Sequence, residues 1–480
     1  MTGSSMRRPE ASVSQPVRAA SHDTSHDASR GASRGAALER ALRDFEALAA
    51  QLPEQVVPRV VRRRAAEQLA RLGWPQARDE QWRYANLRAL ERIERFAPAA
   101  GPAAGAASDA GAAAATAAAT LELPPALPGF ERLLFVDGVR VAPTGGPGSP
   151  VTLSAARATE PCWGPEQRLG LLGDMFAQDA AVLTVAGEAS VEVVFVSSAR
   201  AGGAGVYPRL LLELAPGSRL TLVERHLGAP SATTLLSATV TAELARAAQL
   251  THYRLQQCGA QVLFNDTLSV RLQEQACYRV RQIGTGAHSA RTSARVRLAG
   301  RGASLSWQAI ALGRGEQVHD TTLTVEHAAA ATRTEESFRG IADERARLAF
   351  SAHIHIESAA AGAAARQSLR GLIEGTSAEI DLRPRLQIDT DEVSAQHGAT
   401  TGRLDDNLLF YLLARGIDRA SARALLKWAF LGDVLRSIEL PALRVQAERD
   451  AAGQLQEVLA LGAVLAEQAA PGGGGGSGAP

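Results

Sequence analysis

The stretch from about Val182 to Ile388 constrains the fold most, because apolar and polar residues alternate along it. Side chains of a β-strand point alternately to opposite faces, so a period of two predicts strands with one buried face. Val191–Val196 and Cys277–Ile283 show this pattern clearly. No segment of helical periodicity interrupts the stretch, which argues against alternating strands and helices in a βαβ sheet.

A weak internal repeat divides this β-rich stretch. In each repeat a small or polar residue leads into alternating apolar residues, and the spacing of roughly 27–30 residues is that of a solenoid coil. The repeat favours a β-helix, and a large sandwich built from hairpins is the alternative. Its leading apolar residues are Leu220, Leu250, Tyr278 and Leu305, with a looser continuation at Leu348 and Ile380.

Helical patterns flank the β-rich stretch on both sides. Apolar residues recur at helical spacing over Leu38–Ala49, and a second helical segment covers about Pro58–Leu72. Near the other end, Asp405 and Asp418 stand where N-caps of two further helices would lie. A third helix is expected to reach Ala469. These patterns predict helical domains before and after a β core.

Composition changes divide the chain further. Pro98–Thr120 is nearly all Ala, Gly and Pro, which is typical of a flexible linker. The first residues are rich in Ser, Arg and Ala without the apolar core of a secretory signal, so we expect a disordered tail. The predicted segments are a disordered tail (1–35), an N-terminal helical domain (36–96), a linker (97–129), a mixed connecting segment (130–180), the β-helix core (181–388), a C-terminal helical domain (389–470) and a flexible tail (471–480).

Charge and lysine content exclude two classes of protein. Lys and Arg together number 51 against 50 Asp and Glu, so the chain is not a globally basic nucleic-acid binder. The one lysine, Lys427, follows Leu426 inside a helical pattern. A phosphate-binding P-loop needs a lysine directly after glycine. The chain itself is therefore not expected to be a P-loop ATPase.

The three cysteines, Cys162, Cys258 and Cys277, form no CxxC pair and cannot build a disulfide framework. Free thiols indicate a reducing compartment, so we expect a cytoplasmic protein. No apolar run approaches the roughly 20 residues of a membrane-spanning helix, and no membrane association is expected.

Histidines provide the candidate metal ligands. His353 and His355 stand two apart in a strand pattern, so both side chains point to one face. They could bind a metal, but no third ligand is identifiable, and a polar ladder on the solenoid surface is the alternative. His397 lies in Asp389–Gly402, between the last predicted strand and the first C-terminal helix. The residues alone favour a tight strand-to-helix crossover there over a functional site.

Several short motifs resemble one family in their order and spacing, and that family is the SufB/SufD family of iron–sulfur cluster assembly scaffolds. The similarity is dense over about Ser337–Ile438, and Glu80–Leu87 resembles the family's N-terminal Trp-Arg-Tyr element. The motifs are Phe338–Ile341, His353–His355, Gln367–Ser368, Arg370, Ala378–Ile380, Pro384–Leu386, Gln396–Ala399, Gly402–Asp405, Leu409–Leu412 and Arg415–Ile417.

Within this family the chain resembles the SufD branch. Ser368, Gly398 and Leu412 stand where SufB proteins carry a cysteine, a glutamate and a second cysteine. One SufD feature is missing, because Ala395 occupies the place of a cysteine that many SufD proteins have. This leaves His397 as the residue that the resemblance implies for an iron or cluster ligand.

The resemblance implies a mainly β protein, with a right-handed parallel β-helix between helical terminal domains. It also implies a non-catalytic subunit that pairs with SufB through β-helix edges, with ATPase activity in a SufC partner. Iron or a cluster would bind only transiently, with no cofactor held tightly by this chain alone; flavin binding stays open. The implied SufC-docking residues are Leu404, Leu409, Phe410, Tyr411, Arg415, Leu425, Leu426, Phe430 and Val434.

Three alternatives remain at the level of sequence. The C-terminal apolar stripe could pack on this chain's own solenoid, in addition to or instead of binding SufC. The chain could be a purely structural SufD without a ligand role. It could also be an independent β-helix enzyme acting on polysaccharide, although such sites use carboxylates and aromatic residues and this repeat region is poor in aromatics.

Overall fold

The computed structural model describes residues 24–98, 123–141, 151–154, 163–228 and 233–455. The α-helices are α1 (Thr24–Leu48), α2 (Arg59–Leu72), α3 (Leu87–Glu91), α4 (Gly170–Phe176), α5 (Asp406–Leu413), α6 (Arg419–Arg436) and α7 (Pro441–Gln454). None of the helices in these ranges is both long and apolar enough to span a membrane.

Strands occupy most of the chain between the two helical regions. They are β1 (Glu131–Val136), β2 (Val139–Val141), β3 (Val151–Ser154), β4 (Ala181–Val185), β5 (Glu188–Ser197), β6 (Gly205–Val206), β7 (Arg209–Leu214), β8 (Arg219–Gly228), β9 (Thr234–Leu244), β10 (Gln249–Gln257), β11 (Val262–Leu272), β12 (Cys277–Gly284), β13 (Ser289–Leu298), β14 (Ser304–Gly313), β15 (Val318–His327), β16 (Arg333–Ala342), β17 (Arg347–Ile356), β18 (Ala363–Ile373), β19 (Glu379–Ile388) and β20 (Val393–Gly402).

Two long sheets share these strands. The first has the order β2-β1-β5-β8-β10-β12-β14-β16-β18-β20, and the second has the order β19-β17-β15-β13-β11-β9-β7-β4-β3. Pairing along both is parallel except at β1–β2 and β3–β4. From β7 onwards, successive strands alternate between the sheets, so each coil of chain adds one strand to each. The predicted β-helix is therefore confirmed, and the hairpin sandwich is wrong.

The register confirms most of the predicted repeat. Leu250 pairs with Leu220 and Tyr278, and Tyr278 pairs with Leu305. Leu348 and Ile380 also pair with each other, but they do so in the second sheet. The expectation that these two continue the first row is wrong, because strands of both sheets begin with the same small-then-apolar pattern.

The coil corners stack as regularly as the strands. Corner residues Ala247, Gln275 and Ala331 have φ near 58°, and glycines take the equivalent corners at Gly217 and Gly302. Each corner donates its backbone N–H to the next coil, as Ala247 does to the Glu274 carbonyl at 2.8 Å. The left-handed conformation is costly for any residue with a Cβ, so tertiary packing holds these corners in place.

Helices cover the outer faces of the two sheets. The N-terminal elements pack on the second sheet around Trp82, Phe176 and Tyr207. The C-terminal helices α6 and α7 pack on the first sheet, where Val434 and its neighbours contact Tyr253 and other outward-facing residues. The last coil, formed by β19 and β20, is largely exposed.

The boundaries differ from the predicted ones in the N-terminal tail and at both ends of the β-helix core. α1 begins at Thr24, inside the segment predicted as a disordered tail. Parallel pairing extends beyond 181–388 at both ends, through β1 and β20. The third C-terminal helix is described to Gln454, and its predicted continuation to Ala469 lies outside the described residues.

Candidate metal site at the open end of the solenoid

The last coil leaves two strand edges open. β19 ends one sheet and β20 ends the other, and within the described part of the chain neither has a neighbour on its outer side. Open edges present unpaired backbone N–H and C=O groups, which invite pairing with another strand. Nearly every residue of β20 is exposed or half-buried. This end of the molecule is therefore suited to an interaction along the strand edge.

His397 lies in the middle of β20, with its side chain exposed. The expectation that it sits in a crossover between the last strand and a helix is wrong, since it belongs to a strand paired with β18. Small residues such as Ala395 and Gly398 have weak strand propensity, so local sequence did not predict this strand. Backbone pairing with β18 of the preceding coil stabilises this strand despite its weak strand propensity.

A polar row runs inward from His397. In register on consecutive coils of the first sheet are His397, Gln367, Glu336 and Trp307. Most of their neighbours on the inward face are apolar, including Ala395, which packs against the solenoid core. The row therefore forms a polar line beside apolar residues of the solenoid core.

Glu336 and Gln367 are the functional candidates that sequence reasoning missed. Both are almost fully buried, and Gln367 Nε2 donates to Glu336 Oε2 at 2.9 Å. Burial raises the pKa of Glu336 to about 8, and the hydrogen bond from Gln367 opposes this only in part. Gln367 was noticed only as part of a family motif. The two-residue alternation of the strand could have identified Glu336, because it places the carboxyl on the inward face.

A second buried polar cluster, deeper in the solenoid, has a different character. Glu224 accepts hydrogen bonds from His252 Nε2 at 2.9 Å and from Arg254 Nη2 at 2.7 Å. Arg254 also pairs with Asp266 at 2.8 Å. Burial by itself raises the pKa of Glu224, but Arg254 and the histidines hold it well below its ordinary value. These paired charges are matched within the protein, so we interpret the cluster as structural.

Of the two described cysteines, Cys258 is the one whose surroundings argue against metal binding. Cys258 is buried, and its Sγ lies 3.6 Å from the His226 carbonyl oxygen. Burial raises the pKa of the Cys258 thiol, which keeps it protonated, whereas metals bind the thiolate. Cys277 is half-buried at the start of β12. Cys162 lies outside the described residues.

His353 and His355 line a groove of about 450 Å³ on the outer face of the second sheet. His355 Nε2 lies 2.7 Å from Asp389 Oδ2, and burial lowers the pKa of His353. Glu80 crosses the groove to pair with Arg383 at 2.7 Å. Over the part of the chain that the structure describes, no three His, Cys, Asp or Glu side chains gather as a metal site would require. The pairing of His355 with Asp389 agrees with the polar-ladder interpretation.

The N-terminal Trp-Arg-Tyr element has a packing role. Trp82 is fully buried, donates from Nε1 to the Pro165 carbonyl at 3.0 Å and lies under the Arg291 guanidinium at 3.8 Å. These contacts anchor the N-terminal domain on the outer face of the second sheet.

The predicted docking residues divide into exposed and buried groups. Phe410 and Tyr411 are 72% and 53% exposed, and Arg415 lies over the Tyr411 ring at 3.4 Å. Leu409 and Val434 are buried against the chain itself. The half-buried members of the predicted set are Leu404, Leu425, Leu426 and Phe430. Leu408, which sequence reasoning did not select, is 52% exposed beside Phe410.

An ion cluster joins α6 to the solenoid. Glu374, directly after β18, lies 2.5 Å from Arg423 Nη2 and 3.0 Å from Lys427 Nζ. The carboxylate of Glu374 and the side chain of Lys427 are both nearly buried. The only lysine of the chain thus connects the helical domain to the next-to-last strand of the first sheet.

Comparison with known proteins identifies the family. Residues 195–430 match the family model described as "SUF system FeS cluster assembly, SufBD core domain". The iron–sulfur cluster assembly protein SufD of Escherichia coli is 27% identical over 394 residues, covering 79% of this chain and 89% of that protein.

The chain belongs to the SufB/SufD family.

Two further members of the SufB/SufD family match over shorter stretches. SufD of Bacillus subtilis is 32% identical over 137 residues, which cover 28% of this chain and 31% of that protein. A SufBD family protein of Synechocystis is 30% identical over 199 residues, covering 41% of this chain and 44% of that protein. The matched core domain includes β20 and thus places His397 inside the family region.

Proposed function

We propose that this chain is the SufD-like subunit of a SufB–SufC–SufD complex that assembles iron–sulfur clusters. The observation that carries the proposal is the exposed His397 at the open edge of the solenoid, inside the matched family domain. Similarity to the SufD protein of Escherichia coli over most of both chains supports the SufD assignment. The free cysteines support a cytoplasmic, reducing location.

SufB is the proposed partner at the open end. β19 and β20 both end their sheets there, so a second solenoid of the same family could continue both sheets by edge pairing. Parallel register would bring His397 to the junction between the two chains. β20 is exposed or half-buried along its whole length.

His397 would contribute one imidazole to iron or to a growing cluster at this junction. Neutral imidazole is a suitable ligand for iron, and cysteine thiolates, which we assign to SufB, are the usual ligands of clusters. Iron or the cluster is cargo in this proposal, held transiently, and no cofactor is held tightly by this chain alone.

SufC is the proposed partner of the C-terminal helices. Leu408, Phe410 and Tyr411 expose apolar surface on α5, as a protein-binding site does. We assign ATPase activity to SufC and none to this chain. The Glu374 ion cluster would transmit movement of the docked helices to the strands beside His397.

Copurification tests the complex, and iron content tests the ligand role. Tagged chain coexpressed with SufB and SufC should retain both partners. In that complex His397→Ala should keep both partners and lose iron or cluster, whereas the control His355→Ala should keep the iron. Failure to retain SufB and SufC refutes the complex. Unchanged iron in the His397→Ala complex favours the second candidate, a purely structural SufD.

A further inference from the structure

The amide of Gln367 is held in one orientation by the solenoid interior. Its Nε2 donates to Glu336 Oε2 at 2.9 Å and to the Ala352 carbonyl at 3.3 Å. An amide NH2 group has two hydrogens, so these two bonds use both. The residue is only 3% exposed. The direction of Oε1 is therefore set by the protein.

Gln367 Oε1 is a buried acceptor with no hydrogen-bond partner among the described residues. Leaving a buried polar atom without a partner costs free energy, and such atoms in native proteins call for an explanation. Glu336 Oε1 and Trp307 Nε1, on the next two coils, are also buried without a hydrogen-bond partner among the described residues. The row therefore has unused hydrogen-bonding capacity at three successive coils.

His397 occupies the next position of the same row. It is the register partner of Gln367 on β20, and the two side chains lie on the same face of strands about 4.8 Å apart. Its imidazole makes no side-chain hydrogen bond to the residues that the structure describes. A neutral imidazole has one N–H donor and one nitrogen with a lone pair. Metal-binding histidines usually donate that N–H to a protein acceptor, which fixes the tautomer.

We propose that Gln367 is the positioning residue for His397. The exposed His397 side chain rotates so that one ring nitrogen donates a hydrogen bond to Gln367 Oε1, which has no partner among the described residues in the structure itself. The other ring nitrogen then keeps its lone pair towards the open end of the solenoid. Glu336 and the Ala352 carbonyl hold the amide in place for this bond. The inference rests on the proposed role of His397 as a ligand and adds the residue that orients it.

The tautomer of His397 is the direct readout. Full-length chain labelled with ¹⁵N-histidine is measured by long-range ¹⁵N–¹H NMR at about pH 8, where an ordinary imidazole is neutral. The His397→Ala variant identifies the resonances. Native chain should show one dominant tautomer, and Gln367→Met should show a mixture. Gln396→Met, the same change at the exposed neighbour of His397, should match the native chain.

Iron retention by the SufB–SufC complex gives the second readout. Gln367→Met should bind iron about 10-fold more weakly than the native chain, as loss of a supporting hydrogen bond does in other metal sites. A mixed tautomer population in the native chain overturns the inference, and this result does not depend on whether the variant folds. An unchanged tautomer in folded Gln367→Met overturns it as well.

The two readouts separate this inference from the proposed function. If the tautomer depends on Gln367 but His397→Ala keeps its iron, the positioning stands and the ligand role is wrong. If His397→Ala loses iron but Gln367→Met keeps a single tautomer, the ligand role stands and the positioning is wrong.

Discussion

Glu336 is buried inside the solenoid, and replacing it by glutamine should change how stability depends on pH. In the folded chain burial raises the pKa of Glu336 to about 8, against 4.5 for an ordinary glutamate. Between these values the folded chain holds a proton that the unfolded chain has released. Stability therefore falls as pH rises through this window, and glutamine, which does not ionise, removes that fall.

The size of the effect follows from the two pKa values. One pKa unit corresponds to about 1.4 kcal/mol, and integration from pH 5 to pH 8 gives a loss of about 3–4 kcal/mol for the native chain. Buried His319 and His327, whose pKa values burial lowers to about 4, also make stability depend on pH. Both are present in the native chain and in the variant, so they cancel in the difference.

The assay is urea unfolding of the native chain and Glu336→Gln at pH 5 and pH 8. The variant should gain about 3–4 kcal/mol relative to the native chain between the two pH values. Glu335→Gln, at the exposed neighbouring position on the same strand, is the matched control and should show no such gain. Equal pH dependence in the native chain and Glu336→Gln would refute the reasoning.

Three further outcomes are expected. Gln275→Gly should stabilise the chain by about 0.5–1 kcal/mol, because glycine relieves the left-handed corner at φ 58°; no rise in the urea midpoint contradicts this. Glu374→Gln removes the carboxylate shared by Arg423 and Lys427, so it should destabilise the packing of α6 by about 3 kcal/mol and speed hydrogen exchange in that helix. Unchanged hydrogen exchange in α6 contradicts this prediction. The double variant Phe410→Ser, Tyr411→Ser should keep its thermal stability and lose SufC copurification, because both side chains are exposed. The control Leu409→Ser changes a buried residue and should lower stability by about 2–5 kcal/mol. SufC retained by the double variant argues against docking on α5.

Much of the fold could be predicted because its signals are local and repeated. The two-residue alternation indicates strands, and the row beginning with Leu220 indicates that the strands stack at a fixed interval. The prediction that Leu348 continues this row is wrong, because strands of both sheets begin with the same small-then-apolar pattern. Which sheet a strand joins depends on where the chain turns, and a periodic pattern does not carry that information.

The candidate site could be predicted only in part. His397 was selected through the family motif, but the strand that contains it was missed, because Ala395 and Gly398 have weak strand propensity. Gln367 and Glu336 were not selected as partners of His397. They lie 30 and 61 positions before it in the chain, and only parallel register puts them in one row.

Sequence by itself determined the strand period, the helical ends, the family and the absence of a P-loop lysine, since each depends on residue type and spacing along the chain. Tertiary structure alone decided that β20 pairs with β18, that Gln367 keeps an unused acceptor beside His397, and that Phe410 is exposed while Leu409 is buried. Burial and hydrogen bonding are properties of neighbours in space. In a solenoid those neighbours come from the adjacent coils, so they become defined only when the coils stack.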